Sequence, residues 1–342
     1  MTVFSDQTVS DYYNATFINF SLNFEEGEGL EFAKQYEINA YPTYMYFDKE
    51  GKLLHISGSG KPAGDFIQDG KNAFDPDKAY STLKDRYDKG DRASELLYSF
   101  TEALIYSNIS GNLLDSVASE YLQVQSAQTP ESEKSLLLVY KIISHDPLAL
   151  ETPVAQYYFK HLQSLIRLIG EKEISKTSLG IIDFAATHAG MKKDTSEMNR
   201  IQSLIKNTGQ KNKEQFKAFA EIKYRLAVFI QGKKEWKSYA NAVLSYSRRY
   251  ALQDNFTLRE AATYLYYYTN QPEALQAAMQ IIDRAILAKN SYDNVLVQAK
   301  LFHKQGDSKK ALIAANNAIK LALIKSENTD EAKELISQIE KK

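Results

Sequence analysis

The sequence predicts a small α+β module followed by a longer, mainly α-helical domain built in part from helical hairpins. Three observations predict it. Period-two alternation and a hairpin signal occur only before about Gly60, helical periodicity dominates after Pro76, and three turns recur at near-constant spacing toward the C-terminus. Charge changes at the same boundary: residues 1–76 hold 12 acidic and 5 basic side chains, net −7, and the remainder 31 acidic and 37 basic, net +6. The expected domains are 1–75, 76–210 and 211–342, the first ending near Phe74-Asp75-Pro76.

Val3 to Asn14 is predicted as a helix, with Val3, Phe4, Val9, Tyr12 and Tyr13 as its apolar positions. Ile18, Phe20, Leu22 and Phe24 alternate with Asn19, Ser21 and Asn23, the period of two that predicts a strand. Glu28 to Tyr36 is a second helix. Tyr44-Met45-Tyr46-Phe47, the turn Asp48-Lys49-Glu50-Gly51 and Leu53 to Ile56 predict a β-hairpin. Gly58 and Gly60 lead into a helix from about Pro62 to Phe74. Beyond Pro76 helix follows helix, with breaks expected at Gly90, Gly111, Pro130, Pro147, Pro153, Gly170, Gly190 and Gly209. The turns Gln231-Gly232-Lys233, Thr269-Asn270-Gln271 and Gln305-Gly306-Asp307 stand 38 and 36 residues apart. That is close to the period of helix-hairpin repeats, whose units bury their apolar faces by stacking on neighbours. In the last unit Ala311, Leu312, Ala315, Ala318, Ile319 and Ala322 share one face, small enough for close helix approach.

Composition excludes several function classes. With 342 residues, 44% hydrophobic and 25% charged, the chain matches a globular protein of roughly two domains and not a disordered one. A net charge of −1 gives no global field for nucleic acid or an anionic membrane, so no nucleic-acid partner is expected. Apolar runs such as Leu136-Leu137-Leu138-Val139 fall far short of the roughly 18 to 20 residues of a membrane helix, so no membrane span is expected. The absence of cysteine excludes disulfides, thiolate catalysis and thiolate metal sites for this chain. His55, His145, His161, His188 and His303 are too scattered for a metal-ligand spacing. Gly27-Glu28-Gly29 lacks the lysine and glycines of a phosphate loop, and Glu25, Glu26, Glu28 and Glu31 lack the alternating pattern of a calcium loop. No catalytic residue, cofactor or metal site is therefore expected. The aromatic runs Tyr246–Tyr250 and Tyr264–Tyr268 are read as packing between helices, and Trp236 as core. Asn14, Asn19, Asn108 and Asn255 begin Asn-x-Ser/Thr matches that matter only in a eukaryotic secretory protein. Met1-Thr2-Val3-Phe4-Ser5-Asp6 carries no signal-peptide pattern and, read alone, points to the cytoplasm.

Residues 34–52, Lys34-Gln35-Tyr36-Glu37-Ile38-Asn39-Ala40-Tyr41-Pro42-Thr43 through Lys52, resemble the second half of a thioredoxin-fold domain. A helix ends in Tyr-x-Ile, a proline precedes a hairpin, and a glycine-containing bend leads to a final helix. Pro42 resembles the family's cis-proline, the other reading being a trans proline entering a strand. The resemblance implies that Tyr41, Pro42 and Thr43 form the peptide-binding residues. With the C-terminal hairpins, the order is similar to cell-envelope thioredoxin-family proteins of Bacteroidetes-type bacteria, which join such a module to tetratricopeptide-like helices. The fold so implied is a partial thioredoxin-like α/β module followed by tetratricopeptide-like hairpins.

The resemblance implies a Cys-x-x-Cys that this sequence does not carry. It also implies a strand between Ile18–Phe24 and Tyr44–Phe47, whose absence exposes unpaired backbone at an inner edge. Fold consistency favours Met1 as an internal methionine or misplaced start over a half-domain that closes differently or borrows a strand from a partner. The expected function is non-catalytic protein or peptide binding through a helical-repeat groove. The alternative is a fragment of a longer thiol-disulfide oxidoreductase of the periplasm or cell envelope. A third reading is a cysteine-free chaperone or scaffold that holds extended backbone at Tyr41, Pro42 and Thr43.

Overall fold

The computed structural model describes residues 3–36, 38, 41–107, 109, 111–128, 132–145, 150–207, 211–232 and 235–341. Met1, Thr2, Glu37, Asn39, Ala40, Asn108, Pro130, Pro147, Gly209 and Lys233, each used in an expectation above, lie outside the described residues. The described residues form many helices and one small antiparallel sheet of two strands. Contact density divides the chain into two compact units, 1–177 and 178–342, whereas composition changes near Pro76.

The first unit opens with a 3-10 turn at Val3–Ser5 and helix α1 (Gln7–Thr16). The helix starts at Gln7 and not at Val3 because the Asp6 carboxylate accepts the Thr8 and Val9 backbone N–H groups, capping the first turn. Val9 and Tyr13 turn inward to a core with Tyr46, Phe66 and Ala73. Helix α2 (Glu28–Gln35) follows, then strands β1 (Thr43–Phe47) and β2 (Leu53–Gly58), and helix α3 (Ala63–Asn72). The strands pair with Thr43 opposite Gly58 and Met45 opposite Ile56. The Asp48 carboxylate closes their turn by accepting the Glu50 and Lys52 N–H groups.

The strand expected at Ile18–Phe24 is not formed. Residues 17–23 belong to no ladder, and Ile18 is fully exposed and Phe20 87% exposed. Alternation sets which side chains share a face, but a strand also needs a neighbour to take its backbone hydrogen bonds. Among the described residues β1 pairs with β2 alone, and none bonds to the backbone of 18–22.

Helices α4 (Tyr80–Asp88) and α5 (Ser94–Tyr106) hold β2 in place. The Tyr80 N–H donates to His55 Nδ1 at 3.1 Å, the Ser81 hydroxyl to the Leu54 carbonyl at 2.8 Å, and the Ser107 hydroxyl to the Ile56 carbonyl at 2.7 Å. Helices α6 (Asn112–Gln128), α7 (Glu133–His145), α8 (Pro153–Lys160) and α9 (Leu162–Ile169) complete the unit. Their core includes Leu97, Phe100, Leu104, Val139, Ile142 and Tyr158, all buried.

Helix α10 (Glu171–Lys192) contains the division point, and α11 (Thr195–Asn207) follows it. Gly190, expected to break a helix, lies inside α10. Its role is space: a Cβ there would stand 2.4 Å from the Tyr224 carbonyl oxygen. The rest of the second unit is three hairpins and a closing helix. The hairpins are α12 (Lys213–Gly232) with α13 (Trp236–Tyr250), α14 (Asn255–Tyr268) with α15 (Pro272–Ala288), and α16 (Tyr292–Lys304) with α17 (Ser308–Lys325). Helix α18 (Asp330–Glu340) packs on α16 and α17. Successive hairpins stack, α13 on α15 and α14 on α16. The Asp254 and Asp307 carboxylates cap α14 and α17 by accepting the Thr257 and Lys310 N–H groups. In α17, Ala311, Ala315, Ala318 and Ala322 are fully buried, which permits close approach of the α16 backbone. Among the described residues no helix is long and apolar enough to cross a membrane.

Candidate functional site

Tyr41, Pro42 and Thr43 form the approach to β1. Tyr41 is 56% exposed, Pro42 is exposed and Thr43 half-buried. The Tyr41–Pro42 peptide bond is cis, the geometry that the resemblance assigned to Pro42. The Tyr41 ring stands 6.0 Å from that of Phe24, and Phe17 at the other end of the unpaired segment stands 5.5 Å from Tyr46 of β1. The segment 17–24 therefore begins near Tyr46 of β1 and ends near Tyr41 before it. Aromatic contacts hold its two ends. This surface offers apolar side chains and backbone, and its exposed acids Glu25, Glu26, Glu28 and Glu31 make it anionic.

A buried polar group that sequence reasoning missed lies at the same end of the hairpin. The Lys61 ammonium donates to Asp69 Oδ2 at 2.8 Å and to Ser57 Oγ at 3.0 Å, and the Ser57 hydroxyl donates to the same Asp69 oxygen. Register places Ser57 opposite Tyr44, two residues beyond Pro42. Burial pushes the Asp69 carboxyl up, and the hydrogen bonds from Lys61 and Ser57 pull it part of the way back. A serine nucleophile needs a base to take its proton and an open line of attack. Ser57 is fully buried and its proton goes to a carboxylate already paired with Lys61. The group therefore ties β2 to α3 and does no chemistry on a substrate. A signal was present in the sequence, because Phe66, Asp69 and Ala73 share the inward face of α3, and a carboxylate on an apolar face needs a partner.

Next to it, the Tyr13 hydroxyl donates to the Phe66 carbonyl at 2.6 Å and lies 2.8 Å from the Tyr46 hydroxyl. Burial raises both phenols well above the ordinary tyrosine range. His55 accepts from Tyr80, and its Nε2 is buried with no hydrogen-bond partner among the described residues. Burial, helped by the Lys61 charge, lowers its imidazolium to about 4, so the ring is neutral at neutral pH. Among the described residues no group of three or more His, Cys, Asp or Glu could hold a metal ion.

In the hairpin stack, the C-terminal ends of α14 and α16 frame an open cavity of about 400 Å3 lined by Tyr266, Tyr267, His303 and Lys304. The Lys304 ammonium donates to the Tyr266 carbonyl and lies 4.8 Å from the centre of the Tyr266 ring. Burial lowers it from the ordinary lysine value. The aromatic runs divide here. Tyr246 and Trp236 are buried as expected, whereas Tyr267 is 63% exposed and available for contact, against the packing expectation for that run. The Trp236 indole N–H donates to Gln271 at 2.6 Å, joining one hairpin to the turn of the next.

Comparison with protein-family models, with curated proteins and with solved structures found no match to this chain.

Proposed function

We propose that this chain is a non-catalytic binding protein, a thioredoxin-like module joined to tetratricopeptide-like hairpins, that takes up a protein or peptide segment along its helical repeats. The observation that carries the reading is the cavity between α14 and α16, where an exposed tyrosine, a histidine and the Lys304 stem surround open space on adjacent first helices of two hairpins. Exposed aromatic rings with a polar handle are the side chains that protein interfaces favour. A peptide array probed with the full chain, then repeated with Tyr267→Ser and His303→Ala, tests it. Peptides that bind the native chain should bind both variants about tenfold more weakly or worse, while Tyr106→Ser changes nothing. Equal binding by all of them would sink the reading.

A second reading, a longer thiol-disulfide oxidoreductase of the periplasm or cell envelope, draws on the order α2, β1, β2, α3 over residues 28–72, which is the order the resemblance implies. In it Tyr41, Pro42 and Thr43 line the peptide site. This chain should then reduce no insulin disulfide, while the endogenous protein purified from its source should do so and show a larger intact mass.

A further inference from the structure

Residues 18–22 lie outside any helix or strand, and their main-chain donors and acceptors bond to no described residue. The Asn19 side chain fixes the segment at one end by donating to the Tyr13 carbonyl at 3.2 Å and to the Asn14 side chain. Phe24 fixes the other end, stacked on Phe32 at 5.9 Å. Between these anchors Ile18 and Phe20, alternate positions of a run with the period of a strand, both stand in water and the main chain has no partner, as at a strand edge that lacks its neighbour. Such an edge pairs with any compatible strand, the main chain giving affinity and alternate side chains giving selectivity.

Charge narrows the occupant. Residues 3–36 carry Asp6, Asp11, Glu25, Glu26, Glu28 and Glu31, all exposed, against a single basic side chain, Lys34 at the end of α2. A cationic strand would be drawn in, and an acidic one repelled. We infer that Ile18–Leu22 is a docking edge for an extended partner segment that places two alternate apolar side chains against Ile18 and Phe20 and carries lysine or arginine on its flanks. The site draws on residues of the first unit and the cavity at Tyr267 on residues of the second, so each reading is tested by its own variants.

The probe is a synthetic peptide of alternating valine and threonine with two lysines at each end, titrated into the full chain. Backbone amide exchange is read residue by residue. The amides of 18–22 should exchange freely in the free chain and slow by about tenfold or more with saturating peptide. A peptide with glutamates in place of the lysines, and one with proline at its central position, should protect at least about tenfold less well. Ile18→Ser with Phe20→Ser should weaken binding, whereas Tyr267→Ser should not. Protection of 18–22 in the free chain that is lost on dilution, with a mass of two chains, would overturn the inference in favour of a second copy. Protection at every dilution would overturn it in favour of this chain's own backbone. Equal binding of lysine- and glutamate-flanked peptides would overturn the charge selection, and no change at 18–22 with any peptide would overturn the edge.

Discussion

Lys61 and Asp69 form an ion pair 2.8 Å long with side chains only 12% and 5% exposed, joining the bend after β2 to the inward face of α3. Desolvation of both ions offsets much of their attraction, so the pair adds little net stability over an apolar one, but breaking it leaves a carboxylate stranded.

Lys61→Met should therefore cost about 3–5 kcal/mol at neutral pH. Asp69 is already raised from its ordinary 3.8 by burial, and loss of Lys61 leaves only the Ser57 hydrogen bond to pull it back. A raised folded-state value means that the folded chain holds the proton more tightly than the unfolded one, so this group's contribution to stability falls as pH rises through that range. The variant's deficit should shrink as pH is lowered toward 4, and Lys61→Met with Asp69→Leu should recover most of it. Urea unfolding of the three chains at pH 7 and pH 4.5 checks this, and a deficit equal at both pH values would contradict it.

His55 gives the opposite slope. Its folded-state value of about 4 lies below the ordinary 6.5, from burial first and the Lys61 charge second. The unfolded chain takes the proton first, so the contribution is fully present above about pH 6.5 and is lost as pH falls to about 4. The full span is on the order of 3 kcal/mol. His55→Asn keeps an acceptor for the Tyr80 N–H and cannot be protonated, so its stability should vary less between pH 6.5 and 4 than that of the native chain. Thermal melts across that window would show it, and parallel curves would assign the slope to other groups.

The alanines of α17 were legible because their spacing, one apolar face per 3.6 residues, is set by the helix itself. The hairpin at 44–56 and the turns at Thr269 and Gln305 were legible for the same local reason. What escaped was non-local. Ile18–Phe24 has the alternation of a strand, but pairing depends on a neighbour elsewhere in the chain or on another chain. Gly190 reads as a break until Tyr224, 34 residues on, is seen against it. Of the candidate sites, the approach to β1 was visible through Tyr41 and Pro42, while the cavity at Tyr267 depends on which face α14 turns to water.

Two glycines of one helix should respond to alanine with opposite signs. A methyl group added at Gly180 in α10 would meet nothing within 4 Å, so Gly180→Ala should stabilise by about 0.5–1 kcal/mol through helix propensity. At Gly190 the added Cβ would meet the Tyr224 carbonyl oxygen at 2.4 Å and the Ala227 Cβ at 2.8 Å, both on α12. Gly190→Ala should cost about 1–3 kcal/mol, since α10 and α12 must move apart. Urea midpoints measured on both variants decide it, and a stabilised Gly190→Ala would mean that the helices do not approach so closely.

Ile18 and Phe20 supply the last test, because they separate two accounts of an apolar pair. If they were packed in a sheet, replacing both with serine would cost several kcal/mol, as large-to-small changes in a core do. Ile18 is fully exposed and Phe20 is 87% exposed, so almost no apolar area leaves water on folding at either position. Ile18→Ser with Phe20→Ser should then change stability by no more than about 0.5 kcal/mol, within the range of ordinary surface substitutions. Urea unfolding of the native and doubly substituted chains would show an unchanged midpoint. A loss of several kcal/mol in unfolding free energy would instead mean that this segment is covered in solution.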